Sequence, residues 1–191
     1  VVGLAGPDGA GKTTLLRVAV GLLRPHRGRV IVLGEELPGG LARLRARVGY
    51  LPQRLGLLGH LTARENLEYF GALNGLPRAA LDSQIARLLA VTGLDPFRSR
   101  LAQHLSGGMR QKLALACAVL HRPELVILDE PSTGVDPLSR RDMWGLIYAL
   151  LDEGKSLVVS TPSWEEAARC QWLVVLERGR VVVAGEPPKL A

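Results

Sequence analysis

Cysteine and aromatic side chains are scarce in this sequence, and no long apolar run interrupts it. The two cysteines, Cys117 and Cys170, sit in apolar or helical surroundings with no metal-ligand spacing. Both are therefore expected to be reduced and inert, as in a cytosolic compartment. Aromatic residues make up only 4% of the chain, so platforms for stacking nucleic-acid bases are poorly supplied. No segment approaches the roughly 18 consecutive uncharged apolar residues that a spanning helix needs. The opening Val1-Val2-Gly3-Leu4-Ala5 is too short for a signal peptide and leads straight into a glycine-rich loop. With no initiator Met and a start inside a strand, the chain is expected to be a piece excised from a longer protein. No internal repeat or low-complexity segment is apparent.

At 191 residues, with 47% hydrophobic and 22% charged content, the chain is read as one ordinary globular domain with a substantial core. Its net charge of +6 raises nucleic acid as a partner. The 24 lysines and arginines are scattered, however, and the densest run, Arg43, Arg45 and Arg47, is broken by Leu44 and Ala46. The basicity reads as solvated surface, which argues against nucleic acid or the ribosome as partner without forbidding either.

The most informative stretch is Gly6-Pro7-Asp8-Gly9-Ala10-Gly11-Lys12-Thr13, followed by Thr14. It satisfies G-x-x-x-x-G-K-[ST], the phosphate-binding loop. Glycines let successive backbone N–H groups face one concavity. The following helix, expected over about 12–23, adds its unpaired N–H groups and positive dipole end. Lys12 would reach the β- and γ-phosphates of a nucleoside triphosphate, and Thr13 would ligate Mg²⁺. The bland alternative is a glycine-rich turn with a solvated lysine, and the strand–loop–helix context argues against it.

After that helix, 29–33 reads as a strand, 37–40 as a loop, 41–47 as a short helix or turn, and 48–53 as a strand that stops at Pro52. The texture then changes. It does so at about Arg54, and from Leu61 to Leu120 the pattern is helical. Thr62-Ala63-Arg64-Glu65 predicts a capping box, Gly75-Leu76-Pro77 and Gly93 predict helix ends, and Ser106 opens a third helix. Strand character returns with the apolar run Leu125–Leu128, the mark of a parallel strand buried on both faces. Asp136-Pro137 reads as an N-cap with Pro at the first helical position, opening a helix to about Leu151. A strand over 155–160, a short helix over 164–170 and a hairpin turning at Arg178-Gly179 complete the chain. The expected architecture is α/β: a phosphate-loop (RecA-like) core of mostly parallel sheet at 1–53 and 121–191, with an inserted helical subdomain at 54–120.

Two further motifs carry chemistry. The run Leu125–Leu128 is followed by Asp129 and Glu130. Beside a phosphate loop, Asp129 can hold Mg²⁺ through its waters, and Glu130 can activate a water as general base. Leu105-Ser106-Gly107-Gly108-Met109 opens a helix with a hydroxyl and free N–H groups, a second potential anion reader. A chain with one nucleotide does not need two such readers, so this one would serve a nucleotide held by another copy of the domain.

Taken together, Gly6–Thr13, Gln53, Leu105–Met109, Leu125–Glu130 and Gly134-Val135-Asp136, in this order, resemble the motif set of ABC (ATP-binding cassette) transporter nucleotide-binding domains. The resemblance covers essentially all 191 residues and is strongest to the drug-export branch and to a ribosome-associated tandem-cassette ATPase. It implies Walker A at Gly6–Thr13 and a Q-loop glutamine at Gln53, which touches Mg²⁺ and a transmembrane partner. It also implies the signature at Leu105–Met109, Walker B with the catalytic Glu130, and a D-loop Asp136 at a dimer interface. The expected cofactors are ATP and Mg²⁺, with Thr13, Gln53 and Asp129 toward the metal and Lys12, Gln53 and Glu130 in catalysis. The expected partners are a second cassette and a membrane permease, with the domain peripheral on the cytoplasmic face of the membrane. A soluble ATPase acting on ribosomes or nucleic acid, and a GTPase or kinase of the phosphate-loop type, are the competing readings. The signature and the long insertion oppose the latter.

Three departures from the family pattern stand out. The signature ends in Met109 where Gln is usual, at a position expected to point away from the phosphates. The adenine-stacking aromatic that precedes Walker A in the family lies outside this sequence. Pro162 occupies the position of the switch histidine that hydrogen-bonds the γ-phosphate, and it offers neither a side-chain donor nor a backbone N–H.

Overall fold

The computed structural model describes residues 1–187. In chain order its strands are β1 (Val2–Ala5), β2 (Val30–Val32), β3 (Glu35–Leu37), β4 (Val48–Leu51), β5 (Leu125–Asp129), β6 (Ser156–Thr161), β7 (Trp172–Glu177) and β8 (Arg180–Gly185). Its helices are α1 (Lys12–Ala19), α2 (Leu41–Arg45), α3 (Ala63–Leu73), α4 (Arg78–Val91), α5 (Gly107–Val119), α6 (Pro137–Asp152) and α7 (Trp164–Ala167). By their internal packing the residues fall into two units. One holds Val1–Gln53, Glu124–Pro131 and the residues from Lys155 onward; the other holds Arg54–Pro123 and Ser132–Gly154.

The first unit is a six-stranded sheet in the order β4-β5-β6-β1-β7-β8. The first five of these strands run parallel, and β8 returns antiparallel to β7. The parallel arrangement follows from the apolar runs: in β5, Val126, Ile127, Leu128 and Asp129 are all buried, as a strand covered on both faces requires. A core of Leu4, Ala10, Leu16, Leu44, Val48, Ile127 and Leu176 packs α1 and α2 on this sheet. The β7–β8 turn uses positive φ at both Arg178 (47°) and Gly179 (77°), as the hairpin signal predicts.

Two local expectations are revised. Helix α1 ends at Ala19 rather than near Leu23, because Gly21 takes a left-handed φ of 73° and the Gly21 and Leu22 N–H groups turn back to the Val18 and Arg17 carbonyls. Leu37, expected in a loop, ends strand β3, which pairs antiparallel with β2 through Val30 opposite Leu37. The Arg-rich stretch is largely committed to its own neighbourhood. Arg43 pairs with Glu35 at 2.7 Å, and Arg47 makes a two-pronged contact with Glu124 at 2.7 and 2.9 Å.

The second unit is helical. The Thr62–Glu65 capping box forms as expected: the Glu65 N–H donates to Thr62 Oγ1 at 3.2 Å, and the Thr62 N–H donates to Glu65 Oε2 at 2.8 Å. Helix α3 packs on α4 and α5, and α5 packs on α6, burying Leu67, Ile85, Leu89, Leu113, Met143 and Trp144. The sequence reading keeps 121–191 with the sheet, whereas Ser132–Gly154 groups with this helical unit, where Lys112 and Asp142 pair between α5 and α6 at 2.5 Å. Among the described residues no helix is long and apolar enough to cross a membrane.

Candidate active site

The loop Gly6–Thr13 joins β1 to α1 and is braced from the β7 side. A side chain at Gly6 (φ 153°) would collide with the Leu176 carbonyl oxygen, so only glycine lets the loop pass this close to β7. The Gly179 N–H donates to the Ala10 carbonyl at 2.9 Å, tying the hairpin turn to the loop's far side. Lys12, only 4% exposed, is anchored by the loop itself: its Nζ donates to the carbonyls of Gly6 at 2.8 Å and Pro7 at 3.2 Å. The same ammonium lies 3.2 Å from Glu130 Oε1. A buried ammonium is tolerated only with such partners.

The two carboxylates that end β5 meet this loop. Thr13 Oγ1 donates to Asp129 Oδ1 at 3.1 Å, and the Tyr50 hydroxyl lies 3.4 Å from Asp129 Oδ2. Burial, followed by the nearby Asp129 charge, raises the Tyr50 phenol above its ordinary range, so it remains a donor to that carboxylate. Glu130 is 6% exposed, and Gln53 Nε2 donates to its Oε2 at 3.1 Å. Its backbone lies at φ 52°, a left-handed conformation that costs a non-glycine residue about 1–3 kcal/mol and that clusters at functional positions. Lys12, Thr13, Gln53 and Glu130 thus line one cavity of about 300 Å³, together with Asp8, Gly9, Ala10, Gly11 and Thr14. The lining combines the Lys12 ammonium and the glycine-rich start of α1, which suit a phosphate, with the carboxylates of Asp8 and Glu130.

Leu105–Met109 and Asp136, expected as signature and D-loop residues, belong to the helical unit. Ser106 caps α5, accepting the Met109 N–H at 3.2 Å, while Ser106 and Gly107 are exposed. Asp136 caps α6: its Oδ1 accepts the Ser139 N–H at 2.9 Å and its Oδ2 the Ser139 hydroxyl at 2.6 Å. The Ser139 hydroxyl, more than any other contact, holds the Asp136 carboxyl below its usual range. Gly108 faces Ser139 so closely that a Cβ placed there would lie 2.6 Å from Ser139 Cβ.

Pro162 is exposed between β6 and α7. The adjacent Thr161 hydroxyl is engaged within the fold, donating to Glu166 Oε2 at 2.7 Å and accepting the Ser163 N–H at 3.0 Å. Sequence reasoning missed Tyr50 and Ser139. Tyr50 reaches Asp129 from a remote point in the sequence, and Ser139, at N-cap spacing from Asp136, meets Gly108 only through the packing of α5 on α6.

Comparison with known proteins agrees with this geometry. A family model described as ABC transporter matches residues 1–133. The chain is 44% identical over 190 residues to YbhF of Escherichia coli K12, named as a probable multidrug ABC transporter ATP-binding protein. The match covers 100% of this chain and 33% of that protein. It is 43% identical over 189 residues to the Nod factor export ATP-binding protein I of Sinorhizobium fredii, covering 98% of this chain and 55% of that protein. The chain thus spans between a third and about half the length of these relatives. Among solved structures, an ATP-binding subunit of an ABC transporter superposes with a TM-score of 0.85 at 33% identity, over 97% of this chain and 78% of that one. A dimeric post-hydrolysis ATP-binding cassette bound to ADP and Pi superposes with a TM-score of 0.87 at 25% identity, over 97% of this chain and 84% of that one. With a phosphate loop, paired carboxylates and a family match over most of its length, the chain belongs to the ABC transporter family, as an ATP-binding ATPase domain.

Proposed function

We propose that this ATPase domain powers a membrane exporter by binding and hydrolysing ATP in the cavity between the Gly6–Thr14 loop and Glu130. The observation that carries this reading is the convergence of Lys12, Thr13, Gln53 and Glu130 on one cavity, with the buried Asp129 bonded to Thr13 at 3.1 Å. The β- and γ-phosphates lie against the loop N–H groups and take Lys12 from Glu130, since a triphosphate is the stronger acceptor. Glu130, released from Lys12 and steadied by Gln53, accepts a proton from the attacking water. The water oxygen bonds to the γ-phosphorus as the bond to ADP breaks.

The donor set of Thr13 hydroxyl, Asp129 carboxylate and Gln53 amide is all oxygen, and two of its members already converge at 3.1 Å, which suits a hard cation such as Mg²⁺. Bound there, Mg²⁺ supplies neutralisation of the phosphate charge. Ser106 of a second cassette caps the nucleotide held by this one, and hydrolysis reopens the pair. The Gln53 region conveys that motion to a permease, which would hold the domain at the cytoplasmic membrane face. The export role named for the Nod factor relative supports this direction of use, and the multidrug transporter named for YbhF supports a transport role.

The test is Glu130→Gln in the full-length protein. ATP turnover is expected to fall at least about 100-fold while ATP affinity stays within about threefold, as loss of a general base predicts. Turnover at the original rate would overturn the assignment.

A further inference from the structure

The carboxylate pair at the end of β5 reaches its position through a residue outside every motif. In the sheet order, β6 lies between β5 and β1, so its C-terminal end separates Asp129 from the start of the phosphate loop. Register places Ser160 opposite Asp129 on one side and opposite Leu4 on the other. Immediately after Asp129 the chain leaves the strand, and Glu130 turns to φ 52°. That turn carries the Glu130 N–H out of the regular ladder, and a buried N–H needs another acceptor.

Ser160 supplies it. The side chain is fully buried, at 0% exposure, and its Oγ accepts the Glu130 N–H at 3.0 Å. The same Oγ donates to Asp129 Oδ1 at 2.7 Å. The direction of both bonds is forced: an amide can only donate, an ionised carboxylate can only accept, and a hydroxyl does both with its single proton. Asp129 Oδ1 also receives the Thr13 hydroxyl at 3.1 Å. A continuous chain therefore runs from the Glu130 N–H through Ser160 and Asp129 to Thr13 of the phosphate loop. Alanine or valine at 160 could provide neither bond.

We infer that Ser160 is a positioning residue for ATP hydrolysis, which holds Glu130 in its left-handed backbone conformation and orients Asp129 through one hydroxyl. The inference rests on the reading of Glu130 as the base. Ser160 touches no substrate; it acts by keeping the Glu130 carboxylate at the cavity, beside Lys12 and Gln53. Without it the Glu130 N–H and Asp129 Oδ1 each lose a partner, and the backbone at 130 can relax toward the extended region.

The experiment compares Ser160→Ala, Ser160→Cys and Ser160→Thr in the full-length protein. Cysteine nearly keeps the volume but has a weak donor and acceptor, whereas threonine keeps the hydroxyl. Alanine and cysteine are expected to lower kcat by about 10- to 100-fold, the scale of an ångström-size misplacement of a catalytic group, with the ATP KM within about threefold. Threonine is expected to recover kcat to within about threefold of the original. Hydrogen exchange of the Glu130 amide should quicken at least about tenfold in the alanine and cysteine variants but not in the threonine variant. Added to Glu130→Gln, Ser160→Ala should lower kcat by a smaller factor than it does alone, because the base it positions is gone and only the orientation of Asp129 is left to lose.

Original kcat in a folded Ser160→Cys or Ser160→Ala protein would overturn the inference, as would a rise in KM with kcat unchanged. If Glu130→Gln itself keeps its turnover, the reading of Glu130 fails. If Glu130→Gln loses turnover and Ser160→Cys does not, only the role of Ser160 fails.

Discussion

Among single residues, the position to test is Pro162, read from the sequence as standing where the family carries its switch histidine. A hydrogen bond to a charged group contributes roughly 1.5–3 kcal/mol, so losing the one a switch histidine would make corresponds to roughly 10- to 150-fold in rate. The neighbouring hydroxyl is poorly placed to substitute, since Thr161 already donates to the buried Glu166. We therefore expect Pro162→His in the full-length protein to raise ATP turnover about tenfold or more, with ATP affinity little changed. Steady-state kinetics against ATP concentration reads both, and an unchanged kcat would overturn the role given to Pro162. The cysteines are quiet at this scale. Burial pushes the Cys170 thiol up to about 11 and the Cys117 thiol well above its ordinary range, so neither is a nucleophilic thiolate near neutral pH.

Among elements, the contact between α5 and α6 is the most demanding. Gly108 is required there because Ser139 occupies the space a side chain would need, and Ser139 in turn completes the Asp136 cap. Gly108→Ala is expected to destabilise the protein by about 1–3 kcal/mol, as overpacking does. Because the clash involves Ser139 Cβ as well as its hydroxyl, Ser139→Gly should relieve more of that cost than Ser139→Ala, which removes the hydroxyl alone. Denaturant unfolding of the single and double variants measures this coupling. The elements also divide by how visible they are in sequence. The capping box at Thr62 and the Asp136-Pro137 start are local patterns in which the residues that make the bonds are three or four apart. Strand β3 is different: Glu35-Glu36-Leu37 is two-thirds acidic, with little intrinsic strand preference, and is a strand because β2 lies alongside it.

For the whole molecule, the proposed mechanism calls for a second cassette whose exposed Ser106 and Gly107 reach the nucleotide held on this phosphate loop. In the full-length protein carrying Glu130→Gln, ATP is expected to drive cassette pairing, seen by sedimentation as a doubled mass or by X-ray scattering as compaction of a tandem chain. Adding Ser106→Arg should abolish the change. No response to ATP in the Glu130→Gln protein would overturn the pairing.

The phosphate loop, the paired carboxylates, the helix start at Ser106 and the α/β class are all legible in the sequence. Each rests on contiguous residues or on hydrophobic period, and local chemistry dictates both. The tertiary structure decided what those motifs touch. Thr13 and Asp129 meet across 116 positions of sequence, and Ser160 meets Glu130 across 30, because β6 enters the sheet between β5 and β1. Strand order is set by which apolar faces bury one another over the whole chain, so no local window contains it. The hydroxyl that links the two carboxylates therefore becomes visible only once the sheet is assembled.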